Sequence, residues 1–266
     1  SYYNALPSEN YGFADLGIFN INHLEAVSYQ DMELHAGANL KSFHVLPDDA
    51  SLSSMMMPLM GNVMGVISEG VASQYMNGIG WIGGLTSFNR DKGYWLILSD
   101  DASVEVVGRS TMADYVYNLH SGANLISYPA SGSIDLSGSL PDDVEDNFQA
   151  VLTEGYAAMN TPSGWVGALT TFSGGNGYWA IVDEDISFSF NMDQGLARTE
   201  SYYQELPASL EYDFIQSSEQ AFYFIDNVEL LDGTIENGDW IISYNNDIVT
   251  GIRQWNGSII DVPAMG

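Results

Sequence analysis

The sequence predicts an α+β fold: two tandem small modules, each a mostly antiparallel sheet plus a short helix, then a β-rich, sandwich-like C-terminal module. Three observations carry this expectation. A set of landmark residues recurs in order about 85 residues later. Within each copy, strand-like runs and Gly/Asn-rich turns surround one stretch of helical spacing. After residue 200 the pattern changes to short β runs and turns alone.

The repeat starts with His35-Ala36-Gly37-Ala38-Asn39-Leu40, which returns as His120-Ser121-Gly122-Ala123-Asn124-Leu125. Glu69-Gly70 then matches Glu154-Gly155, Gly80-Trp81-Ile82-Gly83 matches Gly164-Trp165-Val166-Gly167, and Gly93-Tyr94-Trp95 matches Gly177-Tyr178-Trp179. Chance matches would scatter in offset. The chain therefore divides into an N-terminal segment (1–28), module 1 (29–109), module 2 (110–192), a linker (193–200) and an incomplete β-rich module (201–266).

Asn39 to Leu46 and Asn124 to Tyr128 predict a first strand in each module, ended by Pro47 and Pro129, which cannot donate to a ladder. Ser51 to Met60 and Asp142 to Leu152 predict the helix, with Leu140, Val144, Phe148 and Val151 on one face and Pro58 shortening the first copy. Strands come next at Val63 to Ser68, Trp81 to Phe88, Tyr94 to Leu98 and Val104 to Val107. In the last region Ala221 to Val228, Trp240 to Tyr244 and Ile248 to Trp255 read as strands, with turns at Asp232-Gly233 and Asn245-Asn246-Asp247. The N-terminal segment holds one strand-like stretch, Gly17 to Ile21.

Composition narrows the function classes. Against 35 Asp and Glu stand six Lys and Arg, a formal charge of −29. Such a surface repels phosphate backbones, so nucleic acid is excluded as a partner. No run reaches the roughly 18 apolar residues of a membrane-spanning helix, so membrane insertion is not expected. With no Cys, the chain has no disulfide framework and no thiolate ligand or nucleophile. Low charge density with abundant Gly, Tyr, Ser and Asn points to a secreted β-rich protein.

His35 and His120 stand at equivalent positions without a neighbouring nucleophile or metal-ligand spacing, so they are expected to serve structure. Trp81, Trp95, Trp165 and Trp179 recur beside Gly, which favours repeat-core packing over a sugar-binding face. Asp48, Asp49, Asp100, Asp101, Asp183 and Asp185 cluster near turns and are candidate Ca²⁺ ligands, although no EF-hand or nonapeptide spacing is present and solvated surface charge is the competing reading. Duplication of the carboxylates argues against a glycosidase, which needs one asymmetric pair.

The C-terminal run Gln220-Ala221-Phe222-Tyr223-Phe224-Ile225, then Gly238-Asp239-Trp240-Ile241, Gly251-Ile252-Arg253-Gln254-Trp255-Asn256-Gly257 and Asp261-Val262-Pro263-Ala264-Met265-Gly266, resembles a β-rich module repeated in very large secreted proteins of marine and Bacteroidetes-like bacteria. Many of those end in a sorting domain for type IX secretion. The Gly-Ala-Asn-Leu and Gly-Tyr-Trp modules look like units found beside it. The resemblance implies an extracellular or cell-surface location and no activity at particular residues. It also implies that the β module continues past Met265-Gly266 and finishes with a segment like Ser1 to Asn10 through Phe19 to Ile21, so that this chain begins with a module's tail and ends with a module's head.

The resulting expectation is a non-enzymatic structural or adhesive repeat protein whose partner is itself. It would assemble head to tail into a filament or surface layer by strand complementation, with Phe13, Leu16, Ile18 and Phe19 of one copy inserted beside Phe222, Phe224, Trp240 and Trp255 of the next. The alternatives are a carbohydrate-binding, Ca²⁺-dependent module set with glycans as partners, and a secreted hydrolase.

Overall fold

The computed structural model describes residues 27–192, 212–230 and 233–266, and over them the chain is almost entirely antiparallel β-sheet. This corrects the α+β expectation. Among the described residues helix is confined to two single turns, α1 (Leu52–Met55) and α2 (Leu136–Ser139), and to 3-10 turns at Met57–Leu59 and Glu145–Asn147.

In place of the helix expected over Asp142 to Leu152 stand a turn, the 3-10 turn Glu145–Asn147 and a strand, Phe148–Thr153. Leu140, Val144, Phe148 and Val151 are all buried, as the apolar spacing requires. A β-bulge between Phe148 and Ala150 accounts for the last interval, because it inserts one residue and turns Phe148 and Val151, three apart, to the same side, whereas Leu140 and Val144 are buried from the turns that precede the strand. The equivalent bulge lies between Val63 and Gly65 in module 1.

In module 1, β1 (Ser28–Leu34), β2 (Gly37–Ser42), β3 (Val45–Leu46), β4 (Val63–Ser68), β5 (Val71–Met76), β6 (Gly80–Gly83), β7 (Gly93–Leu98) and β8 (Ala102–Ser110) form two ladders. One is a five-stranded sheet in the order β2-β7-β4-β5-β6; the other runs β1-β8-β3. Period-two burial turns Met32 and Leu34 of β1 and Val104 and Val106 of β8 onto the inner face of the sheet, against Val66, Tyr94 and Leu96.

Module 2 repeats this plan with β9 (Tyr117–Leu119), β10 (Gly122–Ser127), β11 (Ser133–Asp135), β12 (Phe148–Thr153), β13 (Tyr156–Thr161), β14 (Gly164–Gly167), β15 (Thr171–Ser173), β16 (Gly177–Val182) and β17 (Ile186–Phe188). Its main sheet runs β10-β16-β12-β13-β14. Registers agree: Ile67↔Ala72 and Gln74↔Ile82 in one module, Leu152↔Ala157 and Met159↔Val166 in the other. So do side chains. The Phe88–Tyr94 rings lie 4.6 Å apart at 70°, and the Phe172–Tyr178 rings 4.7 Å apart at 69°.

The C-terminal region adds β18 (Gln220–Ile225), β19 (Glu229–Leu230), β20 (Gly233–Thr234), β21 (Trp240–Asn245), β22 (Ile248–Gln254) and β23 (Ile260–Met265). β18 pairs with β23 and β21 with β22, so among the described residues this region consists of two-stranded ladders. β23 lies outside the sequence-based expectation because Pro263 marks a strand break; here it sits on a two-stranded edge, which tolerates a missing N–H. The backbones of β22 and β23 cross at Gly251, where a Cβ would fall 1.9 Å from the Pro263 carbonyl oxygen.

Candidate functional site

The first site-like arrangement is the junction between the modules, which is built twice with the roles exchanged. His35 Nε2 lies 2.6 Å from Glu154 Oε1, and His120 Nε2 lies 2.6 Å from Glu69 Oε1. The second oxygen of each glutamate accepts a backbone N–H of the opposite module, Leu40 at 2.9 Å for Glu154 and Leu125 at 3.0 Å for Glu69. Single antiparallel bridges, Lys41↔Asn176 and Lys92↔Ile126, join the same equivalent positions. Between them lies a separate apolar cluster of Ala38, Leu40, Trp95 and Leu125, with Ile97 and Trp179 packed against it. Residue i meets j and j meets i, the mark of an isologous two-fold contact.

Electrostatics obey the geometry. The hydrogen bond to Glu154 raises the His35 pKa against the opposing effect of burial, and bonds to the Ser121 carbonyl and Glu69 raise that of His120. Burial pushes the Glu69 carboxyl up, but bonds from His120 and the Leu125 N–H outweigh it and leave it below the usual range. Lys92 adds a contact to Glu69 at 3.5 Å.

The second arrangement is the seat of the C-terminal region on β13 and β14. Arg253 and Asp261 form an ion pair at 2.8 Å with side chains 5% and 0% exposed. The Asp261 carboxylate accepts the backbone N–H groups of Ala157 and Ala168, and Arg253 donates to the Gly155 carbonyl with its guanidinium 4.3 Å above the Tyr156 ring. Gln220 donates to the Thr153 carbonyl and accepts from the Gly155 N–H. Both Asp261 carboxylate oxygens are thus partnered and Arg253 donates from Nε and Nη2, the kind of bonding under which buried charge is tolerable.

The equivalent outer face of module 1 carries Met64, Ile67, Met76 and Ile82 at 44%, 37%, 44% and 47% exposure. Ala72, Gly83 and Gly84, the counterparts of Ala157, Gly167 and Ala168, are exposed as well. Backbone geometry is common to both faces. A Cβ at Gly83 would lie 2.2 Å from the Ala72 oxygen and one at Gly167 2.3 Å from the Ala157 oxygen, so close strand approach demands glycine at both.

The sequence-predicted residues fall in several separate places. Trp81 and Trp165 are half-buried against their module cores, Trp165 donating to Glu145 at 2.7 Å. Trp95 and Trp179 belong to the junction cluster between modules. Asp48 faces Arg109 at 3.4 Å, Asp49 holds Ser51 and Ser54 at the start of α1, and Asp100 accepts from Ser99. Asp101 accepts the Ala36 N–H and Asp185 the Ser121 N–H, equivalent turns in the two modules; Asp183 accepts from Asn147. Among the described residues no three His, Asp or Glu side chains gather to hold a metal. Phe222, Phe224 and Trp240 are half-buried and Trp255 is buried in the C-terminal region. Phe13, Leu16, Ile18 and Phe19, with the strand expected at Gly17 to Ile21, lie outside the described residues, as do the linker 193–200 and Asp232.

A cleft of about 500 Å³ lined by Glu33, His35, Lys41 and Asp101 opens beside the junction. Its His35 and Asp101 are engaged with Glu154 and the Ala36 N–H, and His120 and Asp185 repeat those roles in module 2. Sequence reasoning missed Glu69, Glu154, Arg253 and Asp261 as partners. The two glutamates were among the repeat landmarks, and an Arg and an Asp in an apolar strand context were the signal for the buried pair. Compared with known protein families, curated proteins and solved structures, the chain matches none.

Proposed function

We propose that this chain is a non-enzymatic structural or adhesive repeat protein of the cell surface or extracellular space that assembles head to tail. One observation carries the reading. Among the described residues β18 and β21 each have a ladder partner on one side alone, while Tyr223, Tyr244 and Ile248 beside them are 60%, 52% and 70% exposed. Open edges of this kind pair readily with a donated strand, whose backbone supplies affinity and whose alternate side chains set register. The donor is the N-terminal segment of the next copy, with Phe13, Leu16, Ile18 and Phe19 against Phe222, Phe224 and Trp240. Donor and acceptor are different surfaces, so the contact propagates.

The duplicated, structurally engaged His and carboxylate groups favour this reading over a hydrolase. The burial of Trp95 and the packing of Trp81, Trp165 and Trp179 on apolar clusters favour it over a glycan platform. Light scattering and electron microscopy over a concentration series test it. Mass growing with concentration, and lost when residues 1–26 are removed, is expected; a compact monomer at every concentration overturns it.

A further inference from the structure

We propose that residues 1–26 of the same chain dock on the outer face of module 1, in the place that the C-terminal region holds on module 2. The inference deepens the assembly reading, because it gives the proposed donor segment a resting site on its own chain.

The two modules offer the same backbone seat. Where Asp261 takes the N–H groups of Ala157 and Ala168, module 1 presents Ala72 and Gly84; where Arg253 and Gln220 meet Gly155 and Thr153, it presents Gly70 and Ser68. The lead-in to the C-terminal region fixes a second point. The Gln216 carbonyl oxygen lies 3.6 Å from a Cβ built on Gly37, and its side-chain oxygen 3.5 Å from one built on Gly155. At the exchanged positions, Gly122 and Gly70, a Cβ meets nothing within 4 Å among the described residues. The apolar part of the seat is open too: Ile67 and Ile82 are 37% and 47% exposed, whereas their counterparts Leu152 and Val166 are partly covered.

The sequence names the occupant. Ser201-Tyr202-Tyr203-Gln204-Glu205-Leu206-Pro207 followed by Tyr212-Asp213-Phe214 leads into the C-terminal region, and Ser1-Tyr2-Tyr3-Asn4-Ala5-Leu6-Pro7 followed by Tyr11-Gly12-Phe13 repeats that lead-in ahead of module 1. Just beyond Phe13 come a carboxylate, Asp15, and the apolar Leu16, Ile18 and Phe19. The differences also agree. Module 1 has Val71 in place of Tyr156, the ring beneath the Arg253 guanidinium, and residues 1–26 contain no Lys or Arg to need such a ring. Covalent attachment through Val27 to β1 keeps the segment at high effective concentration around module 1 of its own chain.

Hydrogen exchange tests the proposal on the full chain, comparing the parent with a Leu16→Asp/Ile18→Asp variant. At concentrations where scattering shows monomers, the variant is expected to lose at least about tenfold protection at Ala72, Gln74 and Gly84 and none at Ala157 and Ala168. Equal protection in both chains overturns the proposal, as does protection in the parent that appears only as concentration rises. A second variant, Ile67→Glu/Ile82→Glu, alters exposed residues and so spares the core. It is expected to reproduce the loss at Ala72 and Gly84 and to lower the concentration at which assembly begins, by freeing the donor. Loss of protection in the Ile67→Glu/Ile82→Glu variant, with no assembly of that variant or of the parent at any concentration, sustains the docking and overturns the assembly reading; assembly of the parent with module 1 protection unchanged in both variants does the reverse.

Discussion

His44 is 6% exposed, and among the described residues neither ring nitrogen has a hydrogen-bond partner. Burial lowers its pKa to about 4. Because the folded value lies below the unfolded value of 6.5, the unfolded chain takes up the proton first; stability is intact above pH 6.5 and falls as the pH drops toward 4. His35 and His120 act in the opposite sense: their pKa values are raised, so their contribution is complete below pH 6.5 and is lost as the pH rises through the raised values. A His44→Leu variant should therefore flatten the acid limb of a melting-temperature profile, whereas His35→Gln should cost most at low pH and least at high pH. Profiles parallel to that of the parent would contradict both assignments. Asp261→Ala leaves the Arg253 guanidinium buried and unpaired, a loss of about 3–5 kcal/mol. Limited proteolysis should then release residues 212–266 while the modules keep their melting transition.

At the scale of strands, the Gly-Tyr-Trp motif shows why alternation assigns three neighbours to three tasks. In β7 the Tyr94 side chain enters the core of module 1, and Trp95, on the opposite side, enters the junction. Gly93 lets the partner module approach: a Cβ there would lie 2.9 Å from Leu125 Cδ1, and one on Gly177 would lie 2.9 Å from the Lys41 oxygen. Gly93→Ala or Gly177→Ala should cost about 1–3 kcal/mol by overpacking. The loss should appear in calorimetry as weakened coupling between the modules, with two transitions replacing one. Much of the strand layout was legible, because β-branched and aromatic runs between glycine turns leave few alternatives. The helix over Asp142 to Leu152 was misread because a bulged strand and a helix both give an apolar spacing of three. The Trp95 and Trp179 environment was unreadable for a related reason: period two says that a residue faces one side of a sheet, and gives no account of which neighbour covers that side. The His–Glu pairs join residues 119 and 51 positions apart, and local spacing has no means of showing them.

Across the whole molecule, a formal charge of −29 opposes the approach of copies. Screening shortens that repulsion to about 10 Å at 0.1 M salt. Assembly should accordingly begin at lower protein concentration in 0.5 M than in 0.02 M NaCl, by light scattering, and the opposite trend would show that attraction between charges drives it. The exchanged contacts at the junction have a different consequence. The His–Glu bond, the glutamate-to-backbone bond and the single bridge across it are each made twice between equivalent positions, so the tandem chain is in effect a homodimer within one polypeptide. The self-complementary centre is alike in the two halves, and they differ away from it, where Tyr156 lies under the Arg253 guanidinium in module 2 and Val71 takes that position in module 1.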